Sequence, residues 1–107
     1  MKRLVQGLLA AALASLSMSA GLAAGPELTA DYGRPDAPAH LLVRGATDLA
    51  TFGPVIEAFA ESFPDTRVTL EQWNTISLDE VARADCLSRS RGADLLISSA
   101  ADLMVKL

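Results

Sequence analysis

A chain of 107 residues with 9 basic and 13 acidic side chains has room for one small domain, and its formal charge of −4 argues against nucleic acid and anionic lipid as partners. The single cysteine excludes an internal disulfide.

The chain opens with the cations Lys2 and Arg3, then runs from Gly7 to Ala24 without a charge and mostly as Leu and Ala. A basic head, an apolar middle and a small-residue exit predict a secretory signal peptide over residues 1–24, with cleavage near Ala24 or Gly25. A membrane anchor is the competing reading, since roughly 20 apolar residues span a bilayer. Ser15, Ser17, Ser19 and Gly21 dilute the stretch, and no basic cluster follows it. Loss of Lys2 and Arg3 leaves 7 basic against 13 acidic residues, a mature balance of −6. No cysteine stands at the new N-terminus to carry a lipid, so a soluble periplasmic chain is expected.

Residues 25–39, GPELTADYGRPDAPA, mix Pro, Gly and Asp with almost no apolar period and read as a flexible lead-in. His40 to Arg44 form a short apolar run closed by Gly45, suited to a strand buried on both faces of a parallel sheet. The period then changes. Leu49, Phe52, Ile56, Phe59 and Phe63 recur at three- and four-residue steps and predict an amphipathic helix, its regular part beginning near Gly53 because Pro54 lacks a backbone donor. Arg67 to Trp73 alternate with β-branched content and predict a second strand, nearer the sheet edge than the first.

Ser77 and Glu80 have the spacing of a capping box, which predicts a helix to about Ser88 with a weak apolar face of Leu78, Val81, Ala82 and Leu87. Cys86, mid-helix with no His or Lys beside it, is expected to be a small buried residue rather than a reactive thiol. Ala93 to Ser98 read as a third, buried parallel strand, and a third helix opens around Ala100 to Asp102. Strand, helix, strand, helix, strand, helix predicts an α/β fold, βαβαβ(α), with a parallel sheet under right-handed crossovers.

In open parallel sheets, ligands gather beyond the carboxyl ends of the strands, where helix N-termini present amides. Three polar turns fall there: Ala46-Thr47-Asp48, Asn74-Thr75 and Ser98-Ser99-Ala100. The hydroxyl and amide side chains among them can donate hydrogen bonds to a small anion or polyol. The same residue types also serve simply as helix caps. Trp73 could stack on a ligand or stand as a half-buried strand residue, and His40 has no second His or Cys near it to form a metal site. No nucleophile with an assignable base, phosphate loop or dinucleotide fingerprint occurs, so neither catalysis nor a cofactor is expected.

The run LLVRGATDLATFGPVIEAFAESFPDTRVTLEQWNT (residues 41–75), followed by ADLLISSAADLMVKL (residues 93–107), resembles the N-terminal part of bacterial extracellular solute-binding proteins of ABC importers, especially the ferric-iron-type group. The resemblance implies a monomeric periplasmic binding protein of two lobes that closes on a small solute (anionic, polyol or metal complex) and delivers it to an ABC permease. Residues 40–107 would form part of the first lobe, with contacts from Thr47, Asp48, Asn74, Ser98 and Ser99. In iron-binding members the metal is held largely by tyrosines of the second lobe, for which Tyr32 in the lead-in is no substitute. Such proteins are much longer, and residues 82–92, ARADCLSRSRG, are shorter and more basic than the family pattern, so a truncated or fragmentary form is expected. Two alternatives stand beside the transport reading: a sensory ligand-binding domain of a signalling protein, and an exported hydrolase.

Overall fold

The computed structural model describes residues 25–107; the signal-peptide reading of residues 1–24 lies outside the described residues. In chain order the elements are β1 (Leu28–Tyr32), β2 (Ala39–Gly45), α1 (Leu49–Ser62), β3 (Thr66–Gln72), α2 (Thr75–Ser88), β4 (Leu95–Ile97) and α3 (Ala101–Met104). The sheet runs β1-β3-β2-β4, with β2, β3 and β4 mutually parallel and β1 antiparallel on β3. The fold is therefore α/β with a mostly parallel sheet, as the alternation of elements predicts.

Strand β1 corrects the reading of residues 25–39 as a flexible lead-in. All five of its residues pair with β3, from Leu28 opposite Gln72 to Tyr32 opposite Val68. Leu28, Ala30 and Tyr32 share one parity and Thr29 and Asp31 the other, a two-residue period too short and too diluted by Ala30 to stand out among the surrounding Pro and Gly. Gly33 ends the strand at φ +90, where a Cβ would come within 2.9 Å of the Thr66 carbonyl oxygen. With β1 outside it, β3 is an interior strand, no nearer an edge than β2, although its alternation predicts a position nearer the edge. The edge on the other side is β4, whose Leu95 is 51% exposed, so the third strand is not the buried one expected.

Alternate residues of each strand point to opposite faces. Leu41 and Val43 of β2 align with Val68 and Leu70 of β3 on the side covered by α1, where Val43, Ile56, Val68 and Leu70 form the apolar cluster. Tyr32, Leu49, Phe52 and Ile97 pack around it. Burial of such side chains contributes about 1.5–3 kcal/mol each. Gly53 is buried where α1 meets β1, and a Cβ there would sit 2.5 Å from the Tyr32 hydroxyl. The helix runs unbroken through Pro54 from Leu49, not from Gly53, because Thr51 and Phe52 both donate to the Asp48 carbonyl and close the first turn upstream of the proline. Phe59 and Phe63 stack at 4.7 Å on the open flank of α1 instead of joining the core stripe, and Val55 lies exposed one turn before them.

The opposite face is closed by charge. Arg44, paired in register with Glu71, donates from Nε to Glu71 Oε2 at 2.9 Å and from Nη1 to Asp85 Oδ2 of α2 at 2.7 Å. Trp73 Nε1 donates to the same Glu71 oxygen at 2.7 Å, and its ring lies under the guanidinium, 5.4 Å from centroid to Cζ. Trp73 is thus buried rather than half-buried. Desolvation alone would lower the Arg44 pKa; the hydrogen bonds and charges of Glu71 and Asp85 outweigh it and hold the group above its ordinary value.

Helix α2 begins at Thr75, two residues before the predicted capping box. Asn74 is the cap, its Oδ1 accepting from the amides of Ile76 at 2.9 Å and Ser77 at 3.4 Å, which places Ser77 inside the first turn. Leu78 and Ala82 are its buried positions, and Leu87 is exposed. Cys86 is exposed, against expectation: α2 packs on β2 rather than on the three-residue β4, which leaves its last turn uncovered.

Candidate functional site

The parallel register decides where the three polar turns go. Gly45 at the end of β2 pairs with Gln72 at the end of β3 on one side and with Ile97 at the end of β4 on the other. Pairing continues one step further, from Ala46 N to Ile97 O at 2.9 Å and from Trp73 N to Gly45 O at 2.8 Å. The chain therefore leaves the sheet at three neighbouring points, spaced by roughly 4.8 Å per strand. Thr47-Asp48, Asn74 and Ser98-Ser99 all stand at this one edge, each turn leading into α1, α2 or α3.

Their side chains are engaged differently. Thr47, Asp48 and Ser99 are exposed and make no side-chain hydrogen bond among the described residues. Asp48 occupies the cap position of α1 without capping it. Asn74 is a cap through Oδ1, which leaves its Nδ2 donor uncommitted, and half-buried Ser98 accepts from Ala100 N at 3.1 Å, which leaves its hydroxyl proton available. Helix capping thus accounts for Asn74 alone; Ser98 bonds the amide of Ala100, the cap-position residue of α3, and Thr47, Asp48 and Ser99 cap nothing.

The residue that does cap α1 comes from another strand. Gln72 Oε1 accepts from Leu49 N at 2.8 Å, and Gln72 Nε2 donates to Glu27 Oε2 at 3.2 Å. Glu27 N returns a hydrogen bond to Gln72 O at 2.7 Å. Neither residue was singled out from the sequence. The available clue was parity: Gln72 is a polar residue that follows Val68 and Leu70 on the same side of β3.

The opposite end of the sheet carries a separate polar chain. His40 Nε2 bonds Thr69 Oγ1 at 2.7 Å, and the Thr69 hydroxyl bonds Asp31. Because that hydroxyl proton goes to the carboxylate, His40 is the donor to Thr69. Among the described residues there is no group of three or more His, Cys, Asp or Glu side chains placed to hold a metal ion. Nor is any described helix long and apolar enough to cross a membrane.

No family model matches the chain, and no curated protein matches it. A solved structure does: the substrate binding protein of an ABC transporter from Agrobacterium tumefaciens, at 28% sequence identity and a TM-score of 0.70. The match covers 78% of this chain and 26% of that one, so the chain spans about a quarter of that protein's length. The similarity matches the sheet to part of a binding-protein lobe.

Proposed function

We propose that this chain forms the first-lobe part of a periplasmic solute receptor of an ABC importer, reaching the periplasm through a cleaved signal peptide. The observation that carries the reading is the common row Gln72–Gly45–Ile97, which sets three polar turns side by side at one sheet edge. Thr47, Asp48 and Ser99 offer uncommitted side chains to the solute, Asn74 its Nδ2 and Ser98 its hydroxyl proton. The hydroxyl and amide donors of Thr47, Asn74, Ser98 and Ser99 suit a polyhydroxylated or anionic solute, while the Asp48 carboxylate can only accept, from a solute hydroxyl. Within the family, the sequence resemblance points to the ferric-iron-type group. A metal complex would then meet this lobe through hydroxyl and amide groups, since Tyr32 packs on the α1 side of the sheet instead of at the turn-bearing edge.

The receptor reading also supplies a partner for the apolar flank formed by Val55, Phe59, Phe63 and Leu95, which further polypeptide of the complete receptor would cover. The permease would meet the assembled receptor. The test is a two-dimensional amide spectrum of the mature chain titrated with citrate, inorganic phosphate, glucose and ferric citrate. Shifts concentrated at residues 46–49, 74–75 and 98–100 with one of these probes are expected. Shifts spread over the His40 end of the sheet, or none anywhere, would sink the receptor reading. N-terminal sequencing of the chain from a periplasmic extract checks the cleavage site near Ala24.

A further inference from the structure

The geometry points to Gln72 as a positioning residue of the solute edge, one that pins the Thr47-Asp48 turn so that Asp48 need not be spent on capping α1; this rests on the receptor reading above. A helix N-terminus leaves its first amides without intrahelical partners, and the residue in the cap position ordinarily supplies the acceptor. Here Asp48 does not, and the amide of Leu49 is satisfied from the neighbouring strand by Gln72 Oε1 at 2.8 Å. The other end of the same side chain, Nε2, is held by Glu27 Oε2 at 3.2 Å, and Glu27 is itself tied to β3 through its backbone. One amide group therefore links the segment before β1, the end of β3 and the start of α1.

Three consequences follow from that bridge. The turn from Gly45 to Leu49 is fixed at both ends, by Ala46 N on Ile97 O and by Leu49 N on Gln72. Its two polar side chains remain exposed and uncommitted among the described residues, in place beside Asn74 and Ser99. And the side chain meets two opposite demands: Leu49 N requires an acceptor while the Glu27 carboxylate requires a donor, and the Gln72 amide offers the first on Oε1 and the second on Nε2. Asn is one methylene too short to span the same gap from the same backbone position.

Amide-resolved hydrogen exchange on wild type, Gln72→Ala and Gln72→Glu tests the inference. In Gln72→Ala the Leu49 amide is expected to exchange about five- to ten-fold faster, the worth of one lost hydrogen bond, while the Val43 and Leu70 amides keep their wild-type protection. Gln72→Glu retains the acceptor but sets a second carboxylate against Glu27, so Leu49 is expected to exchange more slowly than in Gln72→Ala without regaining full wild-type protection. Leu49 exchange unchanged in Gln72→Ala would overturn the inference, as would equal acceleration of Leu49, Val43 and Leu70, which would mark a general loss of stability. The amide titration separates the two levels of the proposal. Wild type silent to every probe sinks the receptor reading; wild type responding at Thr47 and Asp48, with the same response in Gln72→Ala, sinks the positioning role alone.

Discussion

On the α1 side of the sheet, Val43, Val68 and Leu70 meet Ile56 in an apolar cluster, whereas on the α2 side the same two strands present Arg44 and Glu71 to Asp85 and Trp73. The first face is held by burial, which has magnitude but little direction. The second is held by hydrogen bonds between ionised groups, which are directional and specific to one alignment. A one-residue slip of β2 on β3 would send Arg44 into the apolar cluster, so the charged face fixes register while the apolar face supplies the larger share of stability. The carboxyl-end row of Gln72, Gly45 and Ile97 exists only in that register, and the charged face thereby sets the geometry of the three polar turns.

The apolar face is most sensitive at Leu70, which is 3% exposed within the cluster. Leu70→Ala is expected to cost about 2–5 kcal/mol, enough to bring so small a domain close to unfolding, as read by the denaturant midpoint. A loss below about 1 kcal/mol would mean the α1 face is not the main source of stability. Arg44→Met should follow at about 2–3 kcal/mol, because it leaves Glu71 and Asp85, at 16% and 24% side-chain exposure, without their cation. Replacing all three, Arg44→Met with Glu71→Leu and Asp85→Leu, is expected to recover most of that loss, since the expensive state is the unpaired charge and not the absence of the network. Trp73 is the only tryptophan in the chain, so its emission reports this face alone. No recovery in the triple variant would show that the network adds net stability beyond fixing register.

A smaller effect separates the observed cap from the expected one. Asn74→Ala is expected to cost about 1 kcal/mol, and Ser77→Ala under about 0.5 kcal/mol, because Asn74 Oδ1 already serves the first amides of α2. The reverse order would restore the capping box at Ser77 and Glu80.

That misplacement shows what was legible and what was not. The alternation of parallel strands and helices could be read, because β2, α1 and β3 carry strong periods and α1 ends at Phe63-Pro64. The three turns could be placed at one edge, because parallel topology alone puts the carboxyl ends together. Strand β1 was hidden because its pattern is only five residues long and acquires meaning only against β3. The Arg44–Glu71–Asp85 network and the Gln72 cap were hidden for a related reason: both join residues 23 to 41 positions apart, and no local spacing encodes them. Asn74 lost to Ser77 as the expected cap because a two-residue motif is more conspicuous in sequence than a lone Asn.

The smallest expected effect lies at the rim where β4 leaves the apolar side open. Asp94 extends the pairing of β4 with β2 by one residue: its amide donates to Leu42 O at 2.8 Å, and its Oδ2 accepts from Leu42 N at 2.7 Å. The hydrogen bond from Leu42 lowers the Asp94 pKa below 3.8, desolvation opposes it, and the charges of Arg91 and His40 add to the lowering. A folded-state pKa beneath the unfolded value gives stabilisation that is present above about 3.8 and is lost as pH falls through the folded value. Asp94→Asn keeps an acceptor for Leu42 N but removes the titrating charge. Its unfolding midpoint should therefore fall less steeply than wild type between about pH 5 and pH 2, with the two curves converging at the acid end. Parallel curves across that interval would assign the acid sensitivity to other carboxylates, and would leave Asp94 as a hydrogen-bonding extension of a short edge strand whose ionisation contributes nothing to its hold on β2.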